Sequence, residues 1–183
     1  EPQNLLDATI FFDFRNVYGE ESFTERLRDQ INRNIAGRGL FLYQLAQNAC
    51  QAKYQPSILT NILSEKTNET VDLKHLSNFV VMLARVYALR YNVNLQNTLE
   101  RLDALNNLNI IGGNTLPEIK FLYNYLMKLR FKNQVLQEEN HLPLSNILNP
   151  KHFLNSDLTI LKELVSHIPL YQKLIASDFS ISE

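Results

Sequence analysis

VDLKHLSNFVVMLARVYALRYNVNLQNTLERLDAL, residues 71–105, decides how this chain folds. At about 100° per residue, Leu73, Leu76, Phe79, Val80, Leu83, Val86 and Tyr87 fall on one wide face of a helix. Met82 and Leu89 widen that face, and Ala84 and Ala88 leave room for close packing on another side. Only a narrow stripe stays polar, with Lys74, Asn78 and Arg85 and with Val81 at its edge. A helix apolar on most sides sits at the centre of a bundle, so the spacing predicts a central helix over 72–91. Asp72 reads as its N-cap, since a carboxylate there accepts the free amides of the first turn. Lys74 and Arg85 differ in direction by only about 20° and lie about 16 Å apart along the axis. Two accounts of these charges compete. They reach solvent along their alkyl stems or pair with Asp or Glu. Alternatively they face a cleft or a neighbouring domain, where an Arg fork suits phosphate and carboxylate.

Outward from this stretch, apolar residues recur at three- and four-residue spacing and only 5 glycines interrupt them, which predicts an all-α antiparallel bundle of about six to seven helices. Leu6, Ile10, Phe14 and Val17 share a helical stripe, although Ile10, Phe12 and Phe14 also alternate as a strand would. Ser22–Glu25 (SFTE) reads as a capping box, opening a helix to about Ile35 that ends near Gly37 and Gly39. A further helix covers about Leu40 to Lys53, with Phe41, Leu42, Leu45 and Ala49 inward. Residues 56–70 read as an irregular connection carrying an apolar cluster at Ile58, Leu59, Ile62 and Leu63. Asn97–Glu100 (NTLE) and Thr115–Glu118 (TLPE) are two more boxes, opening helices to Leu108 and about Glu138, with Gly112 and Gly113 between them. Pro143 and Pro150 frame a loop, and a last helix begins near Ser156 with a kink expected at Pro169. Asn is plentiful and reads as background composition.

With 18 basic and 19 acidic residues, the net charge of −1 argues against a nucleic-acid-coating protein. Cys50 is the only cysteine, which excludes intrachain disulfides and multi-Cys zinc sites, and it reads as a small buried hydrophobe. No apolar run approaches the roughly 18 residues needed to cross a bilayer, so no membrane partner is expected. His75, His141, His152 and His167 have no metal-ligand spacing. Phe41, Tyr43, Phe121, Tyr123 and Tyr125 sit on helical repeats as core positions. The start at Glu1-Pro2-Gln3, with no initiator methionine and no signal-like segment, reads as a piece of a larger cytoplasmic protein.

Six segments in order carry a family resemblance: FFDFRNVYG (11–19), VDLKH (71–75), LARVYAL (83–89), NTLERLDAL (97–105), LMKLRFKNQ (126–134) and NILNPKHFLNSDLTILKE (146–163). Together they resemble the substrate-binding helical domain that follows a nucleotidyltransferase module in bacterial signal-transduction proteins with CBS and cyclic-nucleotide-binding domains. VDLKH departs from the family pattern in lacking the glycine that often follows it. The resemblance implies a non-catalytic domain spanning 1–183, with 1–20 a junction from a missing N-terminal nucleotidyltransferase domain similar to PII uridylyltransferases. In such transferases two carboxylates near a Gly-Ser loop bind Mg²⁺, which assists nucleotidyl transfer from a nucleotide triphosphate. No Gly-Ser loop with a following Asp-x-Asp pair occurs here, so no cofactor is expected within this chain.

The substrate-binding residues that the motifs imply are Asp13, Arg15, Lys74, Arg85, Arg101, Arg130 and Gln134. Asp13 and Arg15 read either as a buried ion pair or surface charges, or as an auxiliary carboxylate and a phosphate contact. Arg130 and Gln134, at i, i+4 spacing beside Leu122, Leu126 and Leu129, read either as interhelical hydrogen-bonders or as members of one cleft with Lys74 and Arg85. The expected partners are the missing transferase domain, a protein or small-molecule acceptor and a second copy of the chain. The competing reading is a helical interaction and dimerisation scaffold that relays signals without touching substrate.

Overall fold

The computed structural model describes residues 11–36, 38–50 and 70–181. The expectations for Leu6 and Ile10, for Gly37, and for residues 51–69 with their apolar cluster at Ile58, Leu59, Ile62 and Leu63 lie outside the described residues. Within them the chain is an all-α bundle. Its helices are α1 (Glu21–Ala36), α2 (Gly39–Cys50), α3 (Leu73–Arg90), α4 (Thr98–Asn107), α5 (Thr115–Glu139), α6 (Asn155–Ser166) and α7 (Ile168–Asp178). Two-residue strands β1 (Val71–Asp72) and β2 (Ile147–Leu148) pair antiparallel, with Val71 opposite Leu148 and Asp72 opposite Ile147. No helix among the described residues is long and apolar enough to cross a membrane.

Helix α3 occupies the centre, packed on α1, α2, α4 and α5. Its predicted apolar face is buried: Leu73, Val80, Leu83, Val86 and Tyr87 are fully enclosed, as is Ala84 beside them, with Leu76, Phe79, Met82 and Ala88 close to it, while Leu89 at the edge is half-buried. The ring hydroxyl of Tyr87 donates to Asp178 at 2.5 Å, tying the central helix to the end of α7. Asp72 caps α3 as expected, its carboxylate accepting from the His75 amide at 3.0 Å. Asn97 caps α4 by accepting from the amides of Leu99 and Glu100.

Several local expectations change. The other two boxes do not form caps. α1 starts one residue before Ser22, whose hydroxyl donates to Glu20 instead, and Thr115 lies inside α5 after Asn114, which makes no side-chain cap bond. Beyond Phe11 the first segment is a turn and irregular chain, neither helix nor strand. The Pro143–Pro150 loop contains β2 and leads into a 3-10 turn at Pro150–His152. Pro169 does not kink a helix. The chain ends α6 at Ser166 and starts α7 at Ile168, with Pro169 in the first turn where its missing N–H costs nothing. Cys50 is half-buried, with its thiol 3.5 Å from the Gln172 carbonyl, and burial pushes that thiol up from its ordinary value. Of the predicted core aromatics, Tyr125 is buried, but Phe121 is exposed on the outer side of α5.

Four helices end in the same way, and none uses glycine. Beyond α3, α4, α5 and α7 the residues Asn92, Asn109, His141 and Ser180 take positive φ near 55°. The following amides close six-residue loops back to the helix: Val93 to Ala88, Ile110 to Leu105, Leu142 to Gln137 and Ile181 to Ala176. This is the Schellman arrangement, with an apolar residue after each left-handed one. Val93, Ile110 and Ile181 pack on the core. Two of the asparagines read as background are thus helix terminators.

Candidate functional site: a carboxylate between buried arginines

Arg85 lies on α3 among buried apolar residues, and Arg101 lies in the first turns of α4 with a side chain only 3% exposed. Burying two guanidinium groups is costly unless their donors are satisfied. The irregular segment after Phe11 supplies what they require. Asp13 Oδ1 accepts from Arg101 Nη2 at 2.6 Å, and Asp13 Oδ2 accepts from Arg85 Nη2. One carboxylate therefore bridges two helices, with one oxygen to each arginine, and its own side chain remains 31% exposed. Arg101 also donates from Nε to the Leu95 carbonyl at 2.6 Å, which fixes its plane. Among the described residues Arg85 Nη1 reaches only the Met82 sulfur, at 3.4 Å, and the buried Arg85 Nε has no acceptor.

A third arginine borders the group. Arg28, from α1, donates to the Phe14 carbonyl at 2.8 Å and stacks over the Phe14 ring at 4.2 Å. Burial lowers its pKa, the like charge of Arg101 adds to that effect, and Asp13 opposes it. Arg28 was not foreseen from the sequence. Within α1 it looks like any polar position, and only the path of the preceding segment brings it to Asp13.

Asp13, Arg85 and Arg101 come together out of the seven predicted site residues. Lys74 is exposed near the start of α3, and Arg15 is exposed on the segment that carries Asp13. Arg130 joins a different group: its Nε donates to the Asn146 side chain at 2.6 Å, and the Asn146 carbonyl accepts from the Leu73 amide. Leu73 stands about 18 Å along α3 from Arg85, so Arg130 sits at the Lys74 end of the helix. Gln134 is half-buried one turn further along α5. The grouping that forms is thus Arg85 with Arg101, while Arg130 braces the β2 loop.

Beside the Asp13 segment, Phe11, Phe12, Ile31, Ile35 and Phe41 line an apolar pocket of about 260 Å³. Phe12 meets Phe41 edge-on at 5.6 Å, which docks the segment on α2. The segment is therefore held by aromatic packing on one side and by the arginines on the other. Chemically, the arrangement can hold an anion; Asp13 is the one acid that contacts Arg85 and Arg101 among the described residues.

A family model described as putative nucleotidyltransferase substrate binding domain matches residues 39–179. That span includes Lys74, Arg85, Arg101, Arg130 and Gln134, while Asp13, Arg15 and Arg28 precede it. No curated protein and no solved structure matches the chain.

Proposed function

The chain belongs to the putative nucleotidyltransferase substrate-binding domain family, and from that premise we propose that it is the substrate-recognition and regulatory part of a larger nucleotidyltransferase. In this reading it is non-catalytic by itself, and residues 1–20 form its junction with a preceding transferase domain. That transferase resembles PII uridylyltransferases, uses Mg²⁺ and a nucleotide triphosphate, and works in cytoplasmic signalling beside CBS or cyclic-nucleotide-binding domains in a bacterium. The acceptor is a protein or a small molecule.

The observation that carries this reading is the bridge from Asp13 to Arg85 and Arg101. It fastens the junction segment to the two helices that carry the LARVYAL and NTLERLDAL segments. A movement of the transferase relative to the bundle would pull on these arginines, and an acceptor bound at them would report to the transferase. Arg85→Gln and Arg101→Gln in the full-length protein should raise the acceptor KM by about tenfold, with the nucleotide KM unchanged. An unchanged acceptor KM in both variants would remove the recognition role.

A second reading, a dimerisation or relay scaffold, draws on a different observation. Phe121, Phe131 and Val135 are each more than half exposed along the outer side of α5. Sedimentation of the chain across a concentration series, with Phe131→Glu as comparison, separates it from the first.

A further inference from the structure

We propose that the Arg85–Arg101 pair, bordered by Arg28, is a binding site for a phosphate dianion, with Asp13 as its tethered occupant. The proposal rests on the recognition role above for its place in a reaction, and on the arginines alone for its chemistry.

Charge is the first argument. Arg85 and Arg101 contact Asp13, and Arg28 borders them on the neighbouring Phe14 carbonyl, so among the described residues three guanidinium groups face one carboxylate, an excess of two positive charges. The remaining acceptors are neutral: the Phe14 carbonyl for Arg28, the Leu95 carbonyl for Arg101 and the Met82 sulfur for Arg85. A phosphate group near neutral pH carries close to two negative charges and three acceptor oxygens. In Asp13's place it offsets two of the three positive charges, where the carboxylate offsets one.

Geometry is the second. Asp13 does not fork onto one arginine; it spans two, with one oxygen on each. A tetrahedral anion can make the same bridge and has a third oxygen left over. Arg85 Nε, buried with no acceptor among the described residues, is the donor in want of one. Arg101 is already oriented by the Leu95 carbonyl, so it needs no rearrangement to receive the anion.

Displaceability is the third. Asp13 stands in the turn after Phe11, ahead of the irregular chain that runs to Gly19, where φ is 94°, and its carboxylate is partly open to water. It can leave without disturbing a helix. The arginines cannot, because both are built into helices of the core. The exchange forms and breaks no covalent bond.

The test is calorimetric titration of the 183-residue chain with inorganic phosphate and, separately, with ATP. Asp13→Asn removes the competing charge and nearly keeps the shape. It is expected to bind at least one of the two on the order of tenfold more tightly than the unaltered chain. Adding Arg101→Gln to it should abolish that binding. Tighter binding of inorganic phosphate assigns the site to a free phosphoryl group, whereas tighter binding of ATP alone assigns it to a nucleotide. An Asp13→Asn chain that folds and binds neither more tightly, or whose binding survives Arg101→Gln, overturns the proposal. Should Asp13→Asn not fold, the unaltered chain is compared with Arg28→Gln. Weaker phosphate or ATP binding at an unchanged melting temperature supports the site, while equal binding or none overturns it. Phosphate binding with an unchanged acceptor KM in the full-length Arg101→Gln enzyme would keep this site and remove the recognition role. An altered acceptor KM without phosphate binding would do the reverse.

Discussion

Asp13 and Arg101 are 88 residues apart in sequence and 2.6 Å apart in space, with the arginine buried and the carboxylate partly open. Removing the acid leaves two buried cations facing each other, whereas removing one arginine leaves the acid paired with the other. Asp13→Ala should therefore cost about 2–3 kcal/mol, below the usual range for a fully buried pair because Asp13 is partly solvated. Arg101→Gln should cost less. Urea denaturation of both checks the order, and raising the salt should recover little of the difference, since buried pairs are weakly screened.

The two helix caps give a local counterpart. Asp72 accepts from the His75 amide and Asn97 from those of Leu99 and Glu100. Asp72→Ala and Asn97→Ala should each lower stability by about 1 kcal/mol. Ser22→Ala, in a box that makes no cap, should change the denaturation midpoint hardly at all.

Asn133 is the buried amide that holds the β2 loop. Its Nδ2 donates to the carbonyls of Ser145 and Ile147 at 3.2 and 3.1 Å. Asn133→Leu leaves both acceptors unsatisfied and should cost about 2–3 kcal/mol. Arg130→Ala, half-buried and bonded to one side chain, should cost about 1 kcal/mol. Hydrogen exchange should show faster opening of the Leu73 amide in both variants.

Alkaline pH acts through two tyrosines. Burial, joined by the nearby charge of Asp157, pushes Tyr125 up to about 12. Burial and Glu118 likewise push Tyr171 up to about 12. The unfolded chain releases these protons near pH 10, so the folded form keeps its full advantage below pH 10 and loses it as pH rises towards 12. Tyr125→Phe and Tyr171→Phe should each flatten the decline of the melting temperature over that interval.

The central helix was legible because its pattern is local: seven apolar residues on one face forced burial on every neighbouring side. The Asp72 and Asn97 caps were legible for the same reason. The family motifs placed Asp13, Arg85 and Arg101 among the site residues, but spacing along α3 paired Arg85 with Lys74. Only the path of the segment before α1 brings Asp13 to Arg85, and nothing in α1 marks Arg28 as its neighbour. The β1–β2 pair was hidden too, since two residues are too few to show alternation. Pro169 was read as a kink because a proline inside an apolar period looks the same whether one helix bends or two meet.

Asn92, Asn109, His141 and Ser180 each carry a side chain in a conformation that glycine adopts at far less cost. The bundle is therefore held below the stability its own backbone permits. Glycine at any of these four positions should leave the fold and the arginines untouched, and each should raise the melting temperature, because the left-handed penalty relieved, about 1–2 kcal/mol, exceeds glycine's own entropy cost of about 0.5–1 kcal/mol. Since the four lie on separate helix ends, a chain carrying all of them is a hardened background. In it, Asp13 and its arginines could be altered one by one without the bundle unravelling first.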